Sequence, residues 1–235
     1  MKRLAQTAAR LPLGARAASR LLKGRELDVR VLTGPMRGIR LHVNADVEKE
    51  AWLGIYERDV QQTLVELAEP GTLAFDVGSY HGYFAFLLAR LTGRSVAFEP
   101  LPGSASRIVR SAALNDLDVT VVEAAAAERE GYAWLEVGAL EAMSRLSAER
   151  VGAAIRVRTT KLDSAAEQFG APAIVKIDVE GAGGSVLAGA REVVARGATF
   201  VCEIHSRSED EAVRGALGSY TLRPLGTSRL IASPR

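Results

Sequence analysis

Phe75-Asp76-Val77-Gly78-Ser79-Tyr80-His81-Gly82 is the stretch on which the fold turns. The apolar run from Thr72 to Gly78 reads as a buried strand, and Tyr83 to Leu91 as the helix that follows. An acid ends the strand, and two glycines bracket the turn. Glycine there lets the backbone approach a ligand closely, and the helix start offers free N–H groups to an anion. Ligands of open α/β sheets sit outside the carboxyl ends of the strands, where this turn lies. A dinucleotide fingerprint needs G-x-G-x-x-G, whereas three residues separate Gly78 from Gly82. That spacing disfavours NAD or FAD.

Outward from this turn the chain is rhythmic. Residues 95–99, 119–122, 173–178 and 199–203 read as further short buried strands, with helices at 104–114 and 185–195. The alternation indicates an α/β protein with a doubly wound, mostly parallel sheet. Upstream, alternating residues 27–31 and 39–43 flank the turn Gly34 to Gly38 as a hairpin, and 57–68 reads as a helix stopped by Pro70-Gly71. The long crossover from Glu128 to Gly170 holds two more strand patterns, 132–137 and 155–160, then a short helix whose capping box is Ser164 with Glu167. A last helix capped at Ser208 precedes two short strands near 220–223 and 229–232. These divisions set residues 1–58, a helical segment and β-hairpin extension, apart from a main domain at 59–235.

Composition narrows the function classes. The chain has 235 residues, 48% hydrophobic and 25% charged, with a formal net charge of +2. That balance demands no nucleic-acid partner. One cysteine, Cys202, and three histidines leave neither a disulfide framework nor a well-supplied zinc site, and no metal is assigned. No run approaches the roughly 20 apolar residues of a membrane span. The first thirty residues carry eight Lys and Arg and no acid before Glu26. They read as a peripheral helical extension, with a membrane-surface or partner contact and a targeting peptide as alternatives. Cytoplasmic is the default location.

Two more strand ends carry chemistry. Glu99, closing Phe98-Glu99-Pro100, stands about 20 residues past the first loop, where an acid accepts hydrogen bonds from both ribose hydroxyls. Lys176-Ile177-Asp178-Val179-Glu180-Gly181 puts two acids and a lysine at the mouth of a buried strand, costly unless paired or engaged with substrate. Next to it, Glu203-Ile204-His205 supplies the side chain best tuned to take a proton near neutral pH.

Taken together, FDVGSYHGYF, AFEPLPGS, VVEAAAAEREG, TTKLDS, VKIDVEGA and CEIH resemble, in order, the pattern of FkbM-type methyltransferases, from about Leu32 to His205. The resemblance implies a class I, Rossmann-like methyltransferase domain using S-adenosylmethionine, mostly on hydroxyls of glycans or secondary metabolites. It implies that Asp76, Gly78 and Gly82 form the loop beside the methionine part, with Ser79, Tyr80 and His81 of that cofactor-binding loop standing where the family more commonly has Ala-Asn-Ile/Val. Glu99 would hold the ribose, Pro100, Glu123 and Ala124 would flank the adenine, and Asp178 and Glu180 would face the transfer site. Where the family often has an acid after its VEG glycine, this chain has Gly183 and Gly184. Asp178, Glu180 and His205 sit at adjacent strand ends and form the expected catalytic set, one as base and the others positioning the hydroxyl. The fourth strand ends in no Asn/Asp-Pro-Pro-Tyr segment, which argues against methylating a base or amide nitrogen. RNA or protein methylation, and a cofactor-binding module without catalysis, are the competing readings.

Overall fold

The computed structural model describes residues 24–136, 138, 145–147, 149, 150, 152 and 154–235. The expected helix within residues 1–23 lies outside them. The centre is a seven-stranded sheet of β3 (Thr72–Val77), β4 (Gly93–Phe98), β5 (Asp118–Val122), β10 (Ile174–Ile177), β11 (Thr199–Glu203), β12 (Thr221–Leu225) and β13 (Arg229–Ser233), in the order β12-β13-β11-β10-β3-β4-β5. From β11 through β5 all pairs are parallel; β13 alone is reversed, pairing antiparallel with both β11 and β12. The strand order reverses between β3 and β10. This is the point at which open sheets of this class leave a crevice.

The near-continuous apolar runs of β3, β4 and β10 are explained by burial on both faces. One face packs α5 (Leu162–Phe169), α6 (Gly183–Ala188) and α7 (Arg191–Ala195) around Phe75, Phe98, Val175 and Phe200. The other packs α2 (Arg58–Leu67) and α3 (Tyr83–Thr92) around Ala74, Phe86, Leu87 and Val201. The hairpin of β1 (Glu26–Arg30) and β2 (Arg40–Asn44), with α1 (Lys49–Leu53), contributes Val31, Met36, Leu41, Val43 and Ala51 to that second core. His42 N donates to Ser111 Oγ of α4 (Pro102–Ala113) at 2.8 Å, tying hairpin to helix.

The crossover is a separate four-stranded sheet, β6-β9-β7-β8, of β6 (Ala125–Ala126), β7 (Gly131–Glu136), β8 (Arg145–Ser147) and β9 (Ala154–Thr160). The strand patterns at 132–137 and 155–160 appear as β7 and β9. β6 and β8 are too short for periodicity to reveal.

Three local expectations are corrected. The helix expected over 185–195 is two, α6 and α7. The chain breaks at Gly189, where a Cβ would sit 2.1 Å from the Ala127 carbonyl oxygen, and restarts with Asp163 Oδ1 accepting from the Glu192 and Val193 amides at 3.0 and 3.1 Å. α5 begins at Leu162, before Ser164, so the expected capping box does not form; the Lys161 amide at its cap donates instead to Glu130 Oε1 at 2.9 Å. The last helix, α8 (Arg207–Ala216), is capped by Ser206 rather than Ser208, its Oγ accepting from Glu209 N at 3.2 Å.

Candidate active site

At the carboxyl ends of β3, β4 and β10 lies an open cavity whose empty space, its mouth included, is about 850 Å³. Gly78, Ser79, Tyr80, His81, Glu99, Pro100, Asp178 and Glu180 line it. Gly78 has φ +81°, and a Cβ there would lie 1.9 Å from the Asp178 carbonyl oxygen. Only glycine lets the β3 loop and the β10 loop meet this closely. Glu99 is 4% exposed, and its two carboxylate oxygens accept from the Tyr80 and Leu101 amides, each at 2.8 Å. These donors fix the carboxylate at the cavity wall.

Tyr80 holds a left-handed conformation, φ +50°, uncommon for a residue with a Cβ. Its ring packs against the Arg107 guanidinium, 5.3 Å from the centroid. Arg107 Nη1 pairs with Glu48 Oε1 at 3.0 Å, their side chains 10% and 2% exposed. Thus α4 and the segment before α1 brace the loop from behind. His81 is 3% exposed, and burial, with Arg107 and Lys176 nearby, pushes it down to about 3. It is a neutral wall of the cavity.

The other end is charged. Lys176, 4% exposed, places Nζ 3.1 Å from Asp178 Oδ2, 3.8 Å from Asp76 Oδ1 and 4.7 Å from the Phe84 ring centroid. Burial alone would lower the lysine, but Asp178, Asp76 and Glu57 outweigh it and hold it above its ordinary value. Burial would likewise raise Asp178, yet Lys176 and His205 keep it well below the usual carboxylate range. His205 Nε2 lies 3.4 Å from Asp178 Oδ1, and Nδ1 lies 3.4 Å from Glu180 Oε2. The Asp178 contact raises His205 to about 9 against burial, and Glu180 adds to the shift. Beside them Arg229 joins Glu57, Asp59 and Glu203 at 3.1, 2.9 and 3.0 Å. Ligand atoms of Asp178, Glu203 and His205 lie within 4.8 Å of one another, a spacing a divalent cation accepts, though Lys176 and Arg229 already pair with the two carboxylates.

The structure brings Asp178, Glu180 and His205 together, as their strand ends suggest. It separates others. Asp76 is 1% exposed and lies beneath the cavity beside Lys176, its own carboxyl raised by burial with Lys176 opposing. Gly82 starts α3 and packs on Phe86 and Ile108. Neither Glu123 nor Ala124 lines the cavity: Ala124 is fully buried, Glu123 borders an outer cleft, and the wall is built one residue on by Ala125 and Ala126, with Leu101, Leu135 and Leu146. Three contributors went unread in the sequence. Tyr56 lines the cavity within 5.3 to 5.6 Å of the His81, Tyr83 and Phe84 rings, its phenol raised by burial and by Glu57 and Asp178. The Glu48–Arg107 pair braces Tyr80. Glu209, 3% exposed, accepts from the Gly183 and His205 amides at 2.9 and 2.8 Å and so anchors His205. The Ser206-x-x-Glu209 spacing was the available signal for that last residue.

Among solved structures, the T. thermophilus 16S rRNA N2 G1207 methyltransferase, in complex with AdoMet and guanosine, superposes with a TM-score of 0.53 at 14% identity, over 90% of this chain and 50% of that one. This chain thus spans half the length of that enzyme. The putative methyltransferase yhhF from Escherichia coli gives 0.51 at 12% identity, over 89% of this chain and 99% of that one. At such identities the likeness establishes the class I methyltransferase fold. No curated protein matches the sequence. Residues 76–222 match the methyltransferase FkbM domain, from the acid next to the end of β3 to the second residue of β12. The chain therefore belongs to the FkbM methyltransferase family, whose methyl donor is S-adenosylmethionine.

Proposed function

We propose that this protein O-methylates a hydroxyl of a glycan or secondary metabolite. The observation that carries this reading is the pair Asp178 and Glu180 on the cavity wall beside the glycine loop, with His205 3.4 Å from each of the two carboxylates. Transfer from a sulfonium is an in-line displacement in which the oxygen–carbon bond forms as the carbon–sulfur bond breaks, and the hydroxyl must lose its proton. The residues present fit the donor. The Glu99 carboxylate suits a pair of ribose hydroxyls, Leu101, Ala125 and Leu135 offer an apolar wall to a flat ring, and Gly78 leaves backbone exposed to the remaining chain.

Asp178, held below the usual carboxylate range, is a poor proton acceptor at neutral pH and a good hydrogen-bond acceptor for an incoming hydroxyl. His205 in its neutral form takes the proton, which Asp178 and Glu180 stabilise on the ring. Buried Lys176 holds Asp178 in place.

A labelled-methyl screen over sugars, lipid-linked glycans and polyketide hydroxyls tests this, with alanine at Asp178, Glu180 and His205 in turn. A hydroxyl acceptor whose turnover collapses in the variants, with S-adenosylhomocysteine affinity retained, is the expected result. Near-normal turnover in all three, or labelling of RNA or protein alone, overturns it.

A further inference from the structure

The four-stranded sheet has two unlike faces. Leu135, Leu146 and Val157 point inward onto Leu101 and Ala125, and two of them wall the cofactor cavity. Alternation sends Tyr132 and Trp134 of β7, and Arg156 and Arg158 of β9, to the outer face, where Trp134 stands opposite Arg156 and Tyr132 opposite Arg158. Tyr132 is 64% exposed. The Arg156 guanidinium lies 4.2 Å from the Tyr132 ring centroid, and that of Arg150 5.3 Å from the Trp134 ring. Among the described residues, none of these three arginines pairs with a carboxylate. A cleft beside this face, lined by Tyr132, Arg156 and Arg158 with the single acid Glu123, reaches Pro100, which also borders the cofactor cavity.

Nothing in the core requires this pattern. A guanidinium stacked on a ring keeps its N–H edge free for bidentate capture of a carboxylate or phosphate, and the ring offers an apolar platform. The methyl-transfer end has the opposite character. Asp178, Glu180, Glu203 and Glu57 surround it, with Lys176 and Arg229 as partners. An acceptor carrying an anion next to its reacting hydroxyl would be repelled there. A phosphate on each residue, as in RNA, meets that repulsion at any hydroxyl it presents. A saccharide chain separates the two: an uncharged unit enters the cavity while acidic units lie on the arginines.

We infer that the outer face of this sheet docks the acidic portion of a saccharide acceptor, with Arg156 and Arg158 binding its carboxylates and Tyr132 and Trp134 stacking on its rings. This rests on the glycan reading above. The test is calorimetry with a galacturonate hexamer, and with a neutral maltohexaose, on the full chain at low salt. The galacturonate is expected to bind, to weaken as salt rises, and to lose about tenfold in affinity in an Arg156→Gln/Arg158→Gln variant that still binds S-adenosylhomocysteine like the parent. Equal binding of maltohexaose, equal binding by the variant, or a tenfold preference for a single-stranded oligouridylate would each overturn it. The galacturonate titration needs no cofactor, so this inference and the methyl-transfer reading fail separately.

Discussion

Replacing Lys176 by methionine keeps the volume of the side chain and removes one charge. That lysine is 5% exposed in its side chain and lies between Asp76, 1% exposed, and Asp178, 23% exposed. Removing one partner of a buried ion pair costs about 3–5 kcal/mol, because the other charge is left uncompensated. Asp178 retains His205 at 3.4 Å, which places the loss at about 3 kcal/mol. For a chain of this length that is a fall in Tm of about 6–12 °C. The pH dependence has a definite sign. In the parent, Asp178 lies below its usual 3.8, so its stabilisation is present above that value and lost as pH falls below it. In Lys176→Met both carboxyls are shifted upward by burial, and protonation relieves them as pH falls. The stability gap between parent and variant is therefore widest near pH 7 and narrows toward pH 4. Denaturant titrations across that range, read by circular dichroism, measure it. A gap under about 1 kcal/mol at pH 7, or one constant from pH 4 to 8, refutes the assignment of Lys176 as the counter-charge of this site.

Other outcomes follow from the same geometry. Gly78→Ala sets a Cβ against the Asp178 carbonyl at positive φ, so S-adenosylhomocysteine binding should fall by a factor of about 100 or more while far-UV circular dichroism is kept; unchanged affinity in calorimetry rejects the close-approach argument. His205 should titrate near 9 by NMR in the cofactor-free protein, against an ordinary 6.5, and return toward 6.5 in Asp178→Asn. Because its folded value is raised, its contribution to stability is complete below about pH 6.5 and disappears as pH rises through 9, and turnover should climb over the same window as the neutral base forms; a flat profile removes His205 as proton acceptor. Arg107→Ala leaves Glu48 buried without its partner and Tyr80 without its brace, so it should raise KM for the methyl donor at least tenfold with a smaller change in kcat. Arg107→Lys should recover only part of that, and equal KM values would detach this pair from the cofactor loop.

Much of the fold was legible because its signals are local. The runs at Thr72–Val77, Gly93–Phe98 and Ile174–Ile177 are mostly apolar and buried over most of their length, and each is followed by a turn and a helix. Helix boundaries were less legible where tertiary contacts set them. Gly189 breaks a helical pattern only because Ala127 lies against it, and Asp163 caps a helix some thirty residues away. In the site, Glu99, Asp178 and His205 announced themselves as polar residues at strand ends. Tyr56 did not, because it precedes α2 and reaches the cavity across the fold. Arg107 and Glu48 were hidden for the same reason, 59 positions apart in sequence and 3.0 Å apart in space. After β5 the turn decides which alanine faces inward, so Ala125 and Ala126 rather than Glu123 and Ala124 line the cavity.

Calorimetry with S-adenosylhomocysteine and, separately, with NAD on the parent chain and on Glu99→Ala tests the central claim most directly. The geometry predicts one-to-one binding of S-adenosylhomocysteine, its loss by at least about tenfold in Glu99→Ala, and no heat with NAD. Binding of NAD without S-adenosylhomocysteine, or a Glu99→Ala variant that binds like the parent, would contradict it.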